Sequence, residues 1–325
     1  MNIITAAILL AIGLLMLWKS ADWLVVGAVS LAERLKISPL VIGLTIIAMG
    51  TSAPEAATSI AAAIRNSGEV AIGNVFGSNI ANLLLAGGLC ALIRPILIQP
   101  KILKREMPVM LLSALALWPI LANMYLSRTE SIILLVAFAG LIILTAWSAK
   151  RQPDKKPLIE EALEQQAGKI KPKTLEISIT FIVIGILGLG LGAEFSIRGA
   201  IYIGQVLGLS NTVIGLTIIA VGTSLPEIAT CIVAAVKGQH DISIGNLVGS
   251  NIFNTLLVTG IAGAARPFAL PPRLAGTDFW IMVVVSAVFI AMAAVGKKIS
   301  RIKGAFLVAG YAGYIAYLLM LTANV

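Results

Sequence analysis

Charge is scarce in this chain. Asp, Glu, Lys and Arg make up only 12 % of its 325 residues, about half the share in an ordinary soluble domain. Histidine occurs once, at His240, and cysteine twice, at Cys90 and Cys231. Each shortage excludes something. With so little charge and 58 % apolar residues, a soluble fold would leave far too much apolar surface in water. Two cysteines, each inside an apolar block, form no disulfide framework and no thiolate metal site. They read as small buried hydrophobes. The lone histidine sits in a short polar connection. No H-E-x-x-H pattern exists and no base adjoins a serine, which argues against an intramembrane hydrolase, so the chain is not expected to be an enzyme. No resident cofactor is expected either. No basic region precedes the first apolar block at Ile3, so a cleavable signal is not expected.

What the chain has in abundance is apolar blocks of membrane-crossing length. About ten spans are predicted, near 3–31, 39–65, 71–93, 106–124, 131–149, 176–205, 211–236, 243–265, 278–296 and 304–322. The net charge of +9 is not a nucleic-acid footprint here, because the basic residues lie between spans. With the N-terminus outside, 18 Lys and Arg fall on the inner connections and five on the outer ones, with Lys19 inside the first span. That bias predicts a multi-pass protein of the inner or plasma membrane, with both termini outside. The one long polar segment, 150–174, is then a cytoplasmic linker with a short helix near 158–166.

A repeat organises the rest. The segment IGLTIIAMGTSAPEAATSI from Ile42 returns as IGLTIIAVGTSLPEIATCI from Ile214. IGNVFGSNIANLL from Ile72 returns as IGNLVGSNIFNTL from Ile244. The offset is 172 without a gap, and 30 of the 54 positions from Ile42 to Pro95 match their partners. The same offset takes Asp22 to Glu194 and Glu106 to Asp278. The fold predicted is all-α and membrane-embedded. Residues 1–149 hold the first motif region (42–95), and 175–325 hold the second (214–267). Five spans per half is an odd number, so the halves insert in opposite senses around a two-fold axis in the membrane plane.

Each copy of the first motif, Gly50-Thr51-Ser52-x-Pro54-Glu55 and Gly222-Thr223-Ser224-x-Pro226-Glu227, lies in mid-span. Proline lacks an N–H, so it leaves a carbonyl near Gly50 or Gly222 without its helical donor. A broken helix at membrane depth survives only where it is buried or lines a wet cavity. Carbonyls, hydroxyls and a carboxylate then converge, all of them oxygen donors suited to hard cations. A carboxylate near the bilayer centre costs at least ~2.5 kcal/mol and is functional by default. Two facing carboxylates repel unless a divalent cation or two monovalent ones lie between them. Without an ion, at least one of the pair is expected to hold a proton.

The second motif supplies Asn74, Ser78 and Asn82, and in the other half Asn246, Ser250 and Asn254. Their four-residue spacing puts them in one stripe on a helix. Ser78, Asn82, Ser250 and Asn254 are read as ion ligands. Asn74 and Asn246 are either ligands or polar glue between helices. Elsewhere the reading is plainer. Asp22 with Lys19, and Glu194 with Arg198, are local pairs on a helix face. Glu106 and Asp278 mark helix N-termini. The glycines of the sixth span, Gly185, Gly188, Gly190 and Gly192, suit loose packing.

The paired motifs resemble the two alpha-repeats of the cation/calcium antiporter superfamily, especially its prokaryotic sodium/calcium exchanger-like members, over nearly the whole chain. The resemblance implies ten helices in inverted halves and transport of calcium against sodium; alternating access, with the first and sixth spans sliding against the core, is the mechanism expected. It implies ligands from Thr51, Ser52, Glu55, Ser78 and Asn82, with Thr223, Ser224, Glu227, Ser250 and Asn254, joined by the carbonyls of Ala48 and Ala220. It further implies that calcium and one sodium ion use both glutamates. Some members carry aspartate at the position of Asn254, so this site has two acids rather than three. Calcium/proton and potassium-dependent sodium/calcium antiport remain the nearest alternatives. The expected partners are the two ions and the lipid bilayer, and a monomer suffices.

Overall fold

The computed structural model describes residues 2–151, 172, 174–208 and 220–323. The linker with its expected helix at 158–166 lies almost wholly outside the described residues, as does 209–219, where the second motif begins. The described chain forms ten helical segments and four two-residue strands. They are α1 (Ile3–Leu35), α2a and α2b (Pro39–Thr51 and Ala53–Ile64), α3 (Gly68–Ile93), α4 (Met107–Leu115, entered through a π-helical turn Ile102–Glu106 and followed by Trp118–Leu121) and α5 (Arg128–Arg151). The second half has α6 (Leu175–Val206), α7 (Ala220–Thr223, then Leu225–Val236, called α7b), α8 (His240–Ala265), α9 (Leu274–Lys297) and α10 (Arg301–Ala323). Strands β1 (Ile96–Leu97), β2 (Tyr125–Leu126), β3 (Phe268–Ala269) and β4 (Lys298–Ile299) lie in the connections.

Seven of these helices are long and apolar enough to cross a membrane, and the bent pair α2a–α2b makes an eighth. The fourth segment falls short because it breaks at Ala116–Leu117, just ahead of Pro119, whose missing N–H interrupts the ladder. The seventh is described only from Ala220. Several helices start earlier than apolar windows predict. α3 begins at Gly68 and α8 at His240, each with an acid (Glu69, Asp241) in its first turn. Polar residues at the start of a helix favour its dipole but depress the hydropathy on which the windows depend. Glu106 and Asp278, expected at helix N-termini, are instead buried inside continuous helix, beside Arg105 (3.6 Å) and Arg273 (3.0 Å) respectively.

α3 and α8 form the centre. Their apolar windows are 72 % and 83 % buried, against 17–33 % for the other long helices. α1 and α6 lie together along their whole length. Here the expectation of loose packing is overturned. A Cβ on Gly185 would stand 2.9 Å from the Leu24 backbone, and one on Gly192 would stand 2.9 Å from Leu17 N. The glycines bring two backbones into contact, as small residues do where lipid supplies no hydrophobic drive to association.

The two halves clasp each other reciprocally. β1 pairs with β4, and β2 pairs with β3, both antiparallel. The offset of 172 carries β1 onto β3 and β2 to within one residue of β4, so each sheet joins one strand from each half. Arg94 Nη1 donates to Val236 O (2.7 Å), at the C-terminus of α7b. Its counterpart Arg266 donates to Ile64 O (3.4 Å), at the C-terminus of α2b. Each arginine satisfies a helix-end carbonyl of the opposite half.

Candidate functional site

The site grows from the two helix breaks. Pro54 stands at the start of α2b and Pro226 at the start of α7b. Neither can donate to the preceding turn, so the chain leaves helical geometry at Ser52 (φ −85°, ψ 9°) and Ser224 (φ −86°, ψ 4°). α2a and α2b consequently meet at a 46° bend. Glu55 and Glu227 occupy the first turns beyond the breaks, near helix N-termini, where negative charge is favoured.

Both carboxylates are wholly buried. Each takes the serine of the opposite break: Ser52 Oγ donates to Glu227 Oε1 (2.7 Å), and Ser224 Oγ to Glu55 Oε1 (3.5 Å). Ser250 Oγ also reaches Glu227 Oε1 (3.5 Å). Among the described residues, neither glutamate has an ion pair with Lys or Arg. Glu55 Oε2 and Glu227 Oε2 are buried without a hydrogen-bond partner, and so are Asn82 Oδ1 and Asn254 Oδ1. Buried polar atoms in proteins are nearly always paired. Four orphaned oxygens in one region, two of them carboxylate, are therefore a donor set suited to a hard cation. No cluster of three His, Cys, Asp or Glu occurs among the described residues, so the charge available to a cation comes from these two acids.

The other expected residues fall around this pair. Ser78, Asn82, Ser250 and Asn254 are buried on α3 and α8, and a π-helical turn begins at Asn82 and again at Asn254. Such turns are rare and concentrate at functional sites. Thr51 is buried, and Thr223 nearly as much. Thr51 Oγ1 donates to Asn246 Oδ1 (3.1 Å) and lies 3.4 Å from Ala48 O. Ala48 O also accepts from Ser52 N (3.0 Å). Ala220 opens the described part of α7.

Asn74 and Asn246, left open above, sit differently. Asn74 Nδ2 donates to Glu55 O (3.1 Å) and to Ser59 Oγ (2.9 Å), holding α2b against α3. Asn246 accepts from Thr51 of the other half and donates to Cys231 Sγ (3.4 Å). Two residues that sequence reasoning passes over complete the framework. Asn82 Nδ2 donates to Asn251 Oδ1 (3.2 Å), Asn251 Nδ2 to Asn79 O (3.2 Å), and Asn79 Nδ2 to Thr255 Oγ1 (2.9 Å). Their signal is present in the sequence, since Asn79 and Asn251 are identical in both copies of the second motif.

The expected pairing of Asp22 with Lys19 is also corrected. Lys19 Nζ sits over the Trp23 ring, 5.7 Å from its centroid. Asp22 Oδ1 instead meets Lys237 Nζ at 2.8 Å, across to the end of α7b. Glu194 and Arg198 do pair locally, at 2.5 Å.

Comparison with known proteins gives the family and the fold. A family model described as sodium/calcium exchanger protein matches residues 5–147 and again 177–320. The chain is 38 % identical to the putative antiporter CaxA of Alkalimonas amylolytica, over 96 % of its length and 98 % of the relative's. It is 30 % identical to the sodium/calcium exchanger MaX1 of Methanosarcina acetivorans, over 96 % and 97 %. Among solved structures it superposes on the sodium-calcium exchanger NCX_Mj, determined without Na+ and Ca2+, with a TM-score of 0.82. That match has 30 % identity and covers 98 % of this chain and all of the other.

Proposed function

The chain belongs to the sodium/calcium exchanger family, a family of cation antiporters and not of enzymes, and from that premise we propose that it exchanges calcium for sodium at one site between Glu55 and Glu227. The observation that carries this reading is the reciprocal cross-bonding of the two breaks, Ser52 to Glu227 and Ser224 to Glu55, around orphaned carboxylate oxygens. Two carboxylates neutralise one divalent ion, and neutral oxygens from Thr51, Ser78, Asn82, Thr223, Ser250 and Asn254 complete a shell of the six to eight that calcium takes. In this reading the carbonyls of Ala48 and Ala220 are further oxygen ligands. Sodium uses the same oxygens, so the two substrates exclude each other, and exchange needs no further coupling machinery.

The same geometry supports alternating access. α1 packs along α7b, whereas α6 makes at most marginal contact with α2b. The site is thus covered from the Lys237 end and less so from the Arg65 end. Sliding of the α1–α6 pair against the core reverses that arrangement. The distribution of Lys and Arg supports a cytoplasmic Lys237 end and both termini outside. If more than two sodium ions enter per calcium, each net charge is driven by about 2.3 kcal/mol per 100 mV, which favours calcium export.

The test is calcium uptake into proteoliposomes of the purified protein under an outward sodium gradient. Uptake that needs internal sodium and disappears in Glu55→Gln and in Glu227→Gln supports the proposal. Uptake that follows an outward proton gradient instead replaces it with calcium/proton antiport at the same two acids.

A further inference from the structure

The ion pair between Asp22 on α1 and Lys237 after α7b has no role in the binding site, and its place in the repeat gives it one. The offset of 172 carries Asp22 onto Glu194 and Arg65 onto Lys237, so both halves hold an acid on the long helix and a base at the end of the broken one. Only one of the two pairs is made. Asp22 Oδ1 lies 2.8 Å from Lys237 Nζ. Glu194 is turned to Arg198 on its own helix, with both side chains at least half exposed, and Arg65 is exposed.

We propose that Asp22–Lys237 and Glu194–Arg65 are two alternating latches, made one at a time, that position the α1–α6 pair and set which face of the exchanger is open. This rests on the alternating-access reading above. The packing is consistent with it. Where the Asp22 latch is closed, α1 lies along α7b; where the Glu194 latch is open, α6 stands off α2b. The broken helices register the same displacement. Gly50 abuts Ile186 and Gly222 abuts Ile197, both on α6. Applied to these contacts, the repeat puts Gly222 against Leu14 and Gly50 against Val25, both on α1, in the opposite state. In that state the Glu194–Arg65 pair would close.

The latches are unequal, and the sequence shows why. Arg198 gives Glu194 a local partner, but its counterpart is the apolar Val26, so Asp22 has none at that position. The cation nearest to Asp22 on its own helix, Lys19, lies over Trp23. Closing the Glu194 latch therefore requires breaking an existing pair, and closing the Asp22 latch does not. Asp22, Lys237, Glu194 and Arg65 are positioning residues, with Arg198 a competitor that biases the resting state.

The experiment measures half-saturating calcium separately on each face, in vesicles of known orientation, for the full-length protein. Asp22→Asn and Lys237→Gln are expected to lower the value on the Lys237 face by a factor of roughly two to five, the weight of one partly exposed ion pair. The value on the Arg65 face should rise by less. Arg65→Gln should act in the opposite sense, and Arg198→Ala should act like Asp22→Asn by freeing Glu194. The exchanged pair Asp22→Lys with Lys237→Asp should restore the original sidedness. Equal changes on both faces, or no rescue by the exchanged pair, would overturn the latch while leaving exchange intact. A second reading needs no transport. In a Cys90→Ala, Cys231→Ser background, Arg65→Cys with Glu194→Cys should cross-link under oxidising copper phenanthroline. It should do so only in the state where Asp22→Cys with Lys237→Cys does not. Simultaneous cross-linking of both pairs overturns the latch, and absence of sodium-driven flux in the unmodified protein overturns the exchange reading instead.

Discussion

α2b and α7b carry the same motif at an offset of 172, yet they have different surroundings. Thr58 on α2b is exposed, whereas its counterpart Thr230 on α7b is fully buried. Ala57 is exposed and Ala229 is partly covered; Ala61 is exposed and Val233 is buried. The chemistry of the two helices is nearly equal, so the difference comes from the α1–α6 pair: α1 packs along α7b, whereas neither α1 nor α6 makes more than marginal contact with α2b. A transporter with two-fold symmetry must break that symmetry to be open on one side, and these two helices record the break.

The comparison can be tested at several strengths. The largest effect should ignore the asymmetry altogether. Glu55→Gln and Glu227→Gln each remove half of the charge that balances calcium, and each should reduce sodium-driven calcium uptake at least about a hundredfold, the scale of a broken buried charge pair. A large difference between the two variants would mean that the acids do not share one ion. The next effect should follow the asymmetry. Thr58→Cys should react with N-ethylmaleimide at least about tenfold faster than Thr230→Cys, since reactivity follows exposure. Conditions that open the Lys237 face should reverse the order, and an order that never reverses would fix the gate in place. A smaller effect concerns the cross-bonds. Ser52→Ala removes the 2.7 Å bond to Glu227, and Ser224→Ala the 3.5 Å contact to Glu55. Apparent calcium affinity should fall about tenfold in the first and less in the second, as expected for hydrogen bonds to a charged acceptor. Equal losses would show that both serines act on the ion rather than on the opposite carboxylate. The smallest effect lies at the arginine caps. Arg94→Ala should cost about 1 kcal/mol and Arg266→Ala less, given their 2.7 Å and 3.4 Å bonds, read as detergent-solubilised melting temperatures.

Much of this is legible in the sequence because repetition and apolarity are local signals. The helix breaks follow from Pro54 and Pro226, and the polar stripe of α3 from the spacing of Asn74, Ser78 and Asn82. What is not legible depends on which faces meet. Glycine content alone does not say whether a helix is loosely or closely packed, and Gly185 and Gly192 prove to be contact points of α6 with α1. Proximity in sequence gives Asp22 the wrong cation, because its partner Lys237 is 215 residues away, brought there only by the packing of α1 on α7b. The helix starts at Gly68 and His240 escape apolar windows because hydropathy weighs solvation and not hydrogen bonding. Asn79 and Asn251 escape notice because a motif shared by both halves does not separate framework from ligand.

The reciprocal sheets and arginine caps carry one more consequence. Four described contacts complete one half with a piece of the other: β4 completes β1, β3 completes β2, Arg94 finishes α7b and Arg266 finishes α2b. Such an arrangement is that of an obligate homodimer whose subunits have been joined end to end, as expected of an ancestral gene that was duplicated and then fused. On that ground, two separately expressed fragments divided within 152–171 should find each other in the membrane and reconstitute the whole.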